Sequence, residues 1–362
     1  MKKEQPQSAL KVNDGVEQPP NINPYFKPTK ASKIKEVNHY LKGILNKDIS
    51  ILSQAITLVE STLNEHRTIA RQIVEQCLPH SGNSIRIGIT GVPGVGKSTF
   101  IEYFGQLITN HDKRVAVLAV DPSSEKSKGS ILGDKTRMEN LSSNPKAFIR
   151  PSPSGCTLGG VARRTREAMI LCEAAGFDVI LIETVGVGQS ETMVNNMVDM
   201  FLLLMLAGAG DELQGIKRGI MEMADLIAIT KADGTNFKKC EIAANEYKNA
   251  LHYLPLPESG WKPKVTICSS VTGYGMNELW ETIQDYFAFV KHNKSFENRR
   301  KEQSKHWMYE TILDLIKENF YNNPIIQKKV QQLEYDVINN KISSIAAAEQ
   351  IIETYFNIIK NK

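Results

Sequence analysis

Short apolar runs recur along this chain in a pattern that separates strands from helices. Ile85–Thr90 reads Ile-Arg-Ile-Gly-Ile-Thr, rich in β-formers and bounded by Ser-Gly-Asn before it and Gly91 after it; such a segment predicts a strand. Val115–Val120 is almost continuously apolar, as expected where both faces of a strand are covered. Similar runs return at Val179–Ile182, Phe201–Leu206, Leu226–Ile229 and Val265–Cys268, with helix-compatible stretches between most of them. This alternation predicts an α/β fold with a doubly wound, mostly parallel sheet.

The flanks carry a different period. Asp48 is placed to cap a helix whose Leu52, Ile56 and Val59 recur at helical spacing, and a second helix is predicted from about Leu63 to Cys77. Beyond the sheet, Trp307, Tyr309, Ile312, Leu313, Leu315 and Ile316 mark a helical face, and another helix begins near Ser344 with Ile351, Tyr355 and Ile358 in one stripe. Residues 1–33 contain Pro19, Pro20, Pro24 and Pro28 and few apolar side chains, the composition of a flexible arm. The expected organisation is an arm at 1–33, a helical segment at 34–83, the sheet domain at 84–290 and a helical extension at 291–362. The last of these reads equally as a cap folded on its own core or as a dimer arm, because its apolar stripes must be buried somewhere.

Composition narrows the class. With 362 residues, 41% of them hydrophobic, the chain can bury a large core. Lysine and arginine (44) exceed aspartate and glutamate (40) only slightly, and no basic tract with interleaved aromatics marks a nucleic-acid surface. Cys77, Cys156, Cys172, Cys240 and Cys268 are widely spaced, without CxxC or zinc-site spacing, and read as reduced thiols. No apolar run is long enough to span a membrane and no signal peptide is evident, so a soluble cytoplasmic protein is expected.

Chemistry concentrates behind the first strand. Gly91-Val92-Pro93-Gly94-Val95-Gly96-Lys97-Ser98 matches GxxxxGKS, between a predicted strand and a predicted helix, with Thr99 following. Such a P-loop turns successive N–H groups toward a β-phosphate and adds the unsatisfied donors of the helix start. Lys97 would bridge the β- and γ-phosphates, and Ser98 would offer its hydroxyl to Mg²⁺. Asp121, Asp134 and Glu183 are candidates to complete the metal site, since the carboxyl ends of parallel strands share one edge. Glu183-Thr-Val-Gly186 also has the form of a γ-phosphate sensor, in which Gly186 offers its N–H. Thr230-Lys231-Ala232-Asp233 resembles the NKxD guanine element. Asp233 can accept from both guanine N–H donors while the Lys231 stem lies over the ring, and Ser269-Ser270 follows the last strand, where a backbone N–H can meet the guanine oxygen. The order of these motifs favours GTP over ATP.

Taken with Ala55–Ser61, Val120–Ser124, Gly129–Met138, Glu183–Glu191 and Gly208–Lys217, these residues resemble the MeaB/ArgK group of P-loop GTPases, whose mitochondrial relative is the methylmalonic aciduria type A protein. The resemblance runs from roughly Asp48 to the C-terminus. It implies that Lys97 and Ser98 hold phosphate and metal, that Asp121, Asp134 and Glu183 surround Mg²⁺, and that Gly186–Glu191 form a mobile switch. It also implies a second switch at Asp211–Lys217, with Lys217 moving toward the nucleotide. The family's role implies a homodimer joined through the terminal helices and a partner, an adenosylcobalamin-dependent mutase such as methylmalonyl-CoA mutase. No DxHxxG cobalamin segment is present, so any cobalamin belongs to that partner. Thr230 departs from the family's usual Asn. Two alternatives stand beside this expectation, a GTPase maturation factor akin to the nickel-inserting relatives and an ATP-dependent kinase.

Overall fold

The computed structural model describes residues 34–120, 138–151, 158–184, 190–208 and 218–360. The strands β1 (Ile85–Gly91), β2 (Val115–Val120), β3 (Ala147–Arg150), β4 (Val179–Thr184), β5 (Met200–Met205), β6 (Leu226–Ile229) and β7 (Lys264–Ile267) form one sheet in the order β3-β2-β4-β1-β5-β6-β7. Every neighbouring pair is parallel. The doubly wound reading holds, and β3 is an addition to it. Its four residues are too short to show a period, and they become a strand because β2 offers an edge in register, Val115 opposite Ala147.

Burial follows position in the sheet. β4 and β5 are buried along their whole length, whereas β7 at the edge is only half covered. Alternate residues of β5 serve opposite faces. Leu202 and Leu204 join a cluster with Ile87, Phe100, Phe104 and Trp280, packed by α4 (Lys97–Asn110) and α10 (Met276–His292). Leu203 and Met205 join Ile227, Ile229 and Tyr247 under α9 (Phe237–Leu251). Near-continuous apolar runs were therefore the right sign of two-sided cover.

The leading helices α1 (Val37–Leu45), α2 (Ile49–Glu60) and α3 (Asn64–Cys77) pack on α6 (Leu158–Ala174) rather than standing apart, and Ile44, Leu52, Ile56, Ile73 and Cys77 are fully buried. Asp48 caps α2 as predicted, its Oδ1 accepting from the N–H of Ser50 at 2.8 Å and of Ile51 at 3.1 Å. Three shorter helices are α5 (Glu139–Ser143), α7 (Ser190–Asn195) and α8 (Arg218–Met223).

At the C-terminus, α11 (Ser295–Tyr321) begins as part of the sheet domain. Arg300 reaches both carboxylate oxygens of buried Asp199, at 2.8 and 2.7 Å, and the carbonyls of Gly82 and Ser84. Arg299 donates to Asn195 Oδ1, Gln303 to Val198 O and Trp307 to Asn196 O. Ion pairs Arg166–Glu310 and Arg67–Glu318 extend the attachment. The other side of α11, with α12 (Pro324–Ile338) and α13 (Ser344–Lys360), leaves Tyr309, Leu313, Ile316, Ile338, Ile345 and Phe356 exposed. Among the described residues, no helix is long and apolar enough to cross a membrane.

Candidate nucleotide site

Parallel strands deliver their C-terminal ends to one edge, and the strand order reverses around β1, which lies between β4 and β5. A crevice at such a point is where α/β sheets bind ligands. Gly91 ends β1 so close to β5 that a Cβ there would lie 2.5 Å from Leu204 O. Gly96, at φ 91°, turns the chain in the left-handed region into α4. Between them Pro93 and Gly94 are exposed, while Val95 is buried in the sheet core and anchors the loop.

Lys97 Nζ folds back on this loop, donating to Gly91 O at 2.8 Å and more distantly to Val92 O at 3.4 Å. Burial pushes its pKa down, opposed by the negative charges of Glu183 and Glu191. Ser98 Oγ donates to Glu183 Oε1 across 3.4 Å, a long contact. Glu183 lies within β4, opposite Ile89 on β1 and Ala119 on β2. Below it the hydroxyl of Thr184 donates to that of Thr90 at 2.8 Å, a buried tie between β4 and β1. Among the described residues no three His, Cys, Asp or Glu side chains cluster to hold a metal alone. Ser98 and Glu183 do present two hard oxygens beside the loop, a donor set that suits Mg²⁺ completed by phosphate oxygens and water.

The β6 and β7 ends bring the second motif to the same edge. Thr230 is buried, and its Oγ1 lies 3.0 Å from Val95 O and 3.3 Å from Met205 O, so one hydroxyl joins the P-loop to the β5 and β6 ends. Lys231, at φ 60°, crosses the loop and donates from Nζ to Gly94 O at 2.8 Å. Asn236 holds this turn through Lys231 O. Asp233 is half-buried, and its Oδ2 accepts from Ser269 Oγ at 2.7 Å. The expectation for the serine pair is altered in one respect. The Ser269 N–H is taken by Tyr274 O at 2.9 Å, so Ser269 serves the site through its hydroxyl, which also accepts from the N–H groups of Val271 and Thr272. Ser270 is partly exposed beside it.

The structure thus brings together Gly91 to Thr99, Glu183, Thr230, Lys231, Asp233, Ser269 and Ser270. Asp121, Asp134, Gly186 and Lys217 lie outside the described residues. One contributor, Thr90, is not singled out by the sequence, and a second, Glu191, is read there only as the end of the Gly186–Glu191 switch. Thr90 pairs with Thr184 inside the sheet, and Glu191 is a buried carboxylate that acts electrostatically on Lys97. Its place in the Glu183–Glu191 run was the available signal. A cavity of about 690 Å³ opens at the opposite edge, lined by Asn195, Asp199, Asp225, Tyr286, Arg299 and Gln303. It is distant from this chemistry, since it sits where β5 and β6 begin.

Comparison with known proteins agrees with this geometry. Residues 52–325 match the family described as methylmalonyl-CoA mutase-associated GTPase MeaB. A probable GTPase of Mycobacterium tuberculosis is 50% identical over 306 residues, spanning 84% of this chain and 91% of that protein. The GTPase ArgK of Escherichia coli is 45% identical over 302 residues, 83% of this chain and 91% of its own. The mitochondrial methylmalonic aciduria type A homolog of Mus musculus is 44% identical over 329 residues, covering 88% and 79%. Among solved structures, a protein described as an LAO/AO transport system kinase superposes with a TM-score of 0.70 at 37% identity, covering 90% of this chain and 99% of its own.

Proposed function

The chain belongs to the MeaB family of methylmalonyl-CoA mutase-associated GTPases, and from that premise we propose that it hydrolyses GTP as the chaperone of an adenosylcobalamin-dependent acyl-CoA mutase, in the cytoplasm and as a homodimer. The observation that carries the nucleotide assignment is Asp233. Its carboxylate is held by Ser269 at 2.7 Å beside a lysine whose stem bridges to the P-loop. A carboxylate so fixed accepts two parallel N–H donors, which guanine presents and adenine does not.

In this reading Gly91 to Thr99 cradle the phosphates, with Lys97 leaving the Gly91 and Val92 carbonyls for the β- and γ-phosphate oxygens. Ser98 and Glu183 would hold Mg²⁺, together with Asp121 and Asp134; the ion would supply positive charge against the charge that develops on the phosphoryl group. Thr230, Lys231, Asp233, Ser269 and Ser270 form the base pocket. Gly186 and Lys217 belong to the switches, Lys217 moving in when the partner binds. Their closure preorganises donors around the transferring group, which is the larger part of phosphoryl-transfer catalysis. The exposed apolar residues of α11, α12 and α13 support a second copy as the cover for that surface.

The test pairs the purified chain with the cobalamin-dependent mutase of the same cell. GTP hydrolysis, followed by phosphate release, is expected to be slow alone and several-fold faster with the mutase, and ATP should not substitute. A mutase that neither binds the chain nor changes its turnover would overturn the chaperone reading.

A further inference from the structure

Glu191 stands in the first turn of α7, directly after segment 185–189. It is 2% exposed, and its Oε2 is buried without a hydrogen-bond partner. A buried carboxylate oxygen left without a donor is costly, by about 1–3 kcal/mol and more when charged. A donor arriving in another state of the protein would relieve that cost. The helix that carries it packs against β1 and β4, the strands that deliver the P-loop and Glu183. Glu191 therefore stands on a helix beside the strands that lead to the phosphate end of the site.

Among the described residues, the donors beside the site are already engaged. Phosphate groups of a nucleotide present acceptors only. Lys97 donates to the loop carbonyls of Gly91 and Val92 here, and a bound nucleotide would claim it for phosphate. The Ser98 hydroxyl has one proton, already directed at Glu183. Water on Mg²⁺ reaches this site together with a nucleotide and still has protons to give, because the ion dehydrates reluctantly and keeps several waters. Second-layer carboxylates accepting from such ligands orient them and raise affinity for the metal.

We propose that Glu191 is a positioning residue of the metal site, its buried carboxylate accepting a hydrogen bond from a water of the Mg²⁺–nucleotide complex that Ser98 and Glu183 hold. The inference rests on the GTPase reading above. It gives α7 a task distinct from base recognition, because the helix anchors the metal's water shell at the point where the chain leaves segment 185–189.

The test uses the full chain and two readouts. Affinity for GDP is measured with Mg²⁺ and in EDTA, and affinity of the protein–GDP complex for Mn²⁺ is read by electron paramagnetic resonance. Glu191→Gln keeps the size and removes the charge. It should weaken Mn²⁺ binding by about 10- to 100-fold while GDP affinity in EDTA stays equal or improves, one negative charge having left the phosphate surroundings. Glu191→Asp, which keeps the charge at shorter reach, should fall between the two. Equal loss of GDP affinity with and without metal would make Glu191 a structural strut and overturn the proposal. Unchanged Mn²⁺ affinity with slower GTP turnover would assign the carboxylate to the attacking water and overturn it equally. A wild-type protein that prefers ADP to GDP would instead sink the GTPase reading, and this inference with it.

Discussion

Replacing Thr230 with valine removes a single hydroxyl from between two loops. Thr230 is 3% exposed, with Oγ1 at 3.0 Å from Val95 O in the P-loop and 3.3 Å from Met205 O at the end of β5. The hydroxyl has one proton, and the nearer carbonyl receives it. Valine matches the shape, so no cavity forms and the change reduces to a lost donor. A neutral hydrogen bond of this kind contributes about 0.5–1.5 kcal/mol net, and a buried carbonyl left unpaired costs about 1–3 kcal/mol. In the empty protein the exposed Pro93-Gly94 tip allows the loop to shift and recover part of that loss. With nucleotide bound the loop is fixed, so most of the cost falls on affinity. We expect a loss of about 1–2 kcal/mol, a GDP dissociation constant higher by roughly 5- to 30-fold. Titration with a fluorescent GDP analogue reads this directly, and a urea midpoint reads the remainder. Thr230→Ser, which keeps the donor, should bind within about twofold of wild type by the same hydrogen-bond argument. A valine variant with wild-type affinity and an unchanged midpoint would show that this hydroxyl does not couple the base loop to the P-loop.

Further outcomes follow from the packing. Arg300→Met should destabilise the fold by about 3–5 kcal/mol in urea, because Asp199, its side chain 1% exposed, would lose its bidentate partner and remain buried; a loss under about 1 kcal/mol would mean that the main-chain N–H of Arg86, which also donates to Asp199 Oδ2 at 2.8 Å, is enough to satisfy it. Burial pushes the thiols of Cys77 up to about 11 and of Cys268 up to about 12, and raises those of Cys172 and Cys240 as well. At pH 8 all four should resist alkylation in the native protein and react after denaturation, as mass spectrometry of the labelled peptides would show. Arginine at both Leu313 and Ile316, which are 57% and 53% exposed, should convert a dimer to a monomer in light scattering without lowering the thermal midpoint of the sheet domain. A wild-type protein that is monomeric at micromolar concentration would remove the dimer.

Much of this molecule could be read in advance, for identifiable reasons. The glycines of the P-loop are dictated by backbone geometry, β2, β4, β5 and β6 announce themselves because two-sided burial demands near-continuous apolar runs, and β1 is marked by its β-formers between two turn signals. Four residues of β3 carry no such signal, since an edge strand of that length exists by virtue of its neighbour. α12 was missed for a related reason. It starts at Pro324 and buries only Ile326 and Leu333 fully, too sparse a stripe to read. Nothing in the sequence marks Arg299 and Arg300 as ion-pair partners, because the carboxylates they meet, Asp225 and Asp199, lie far back in the chain and come near only once the sheet has formed. At the site, Asp233 and Ser269 were both legible as motif members. That Ser269 acts through its hydroxyl was not, because Tyr274 takes its N–H only once the turn has formed.

The most direct measurement concerns base recognition by Asp233. Equilibrium binding of GDP, XDP and ADP, each with Mg²⁺, would be compared for wild type and Asp233→Asn, with circular dichroism confirming the fold of the variant. Asparagine places an amide donor against a guanine donor and forfeits charge-assisted bonding, at about 2–4 kcal/mol or roughly 30- to 1,000-fold in GDP affinity. Xanthine carries a carbonyl where guanine has its amine, so the same amide can donate to it while its oxygen accepts the ring N–H. The account predicts that wild type prefers GDP and that the variant shifts strongly toward XDP. Unchanged GDP affinity in the variant, or a wild-type preference for ADP, would contradict it.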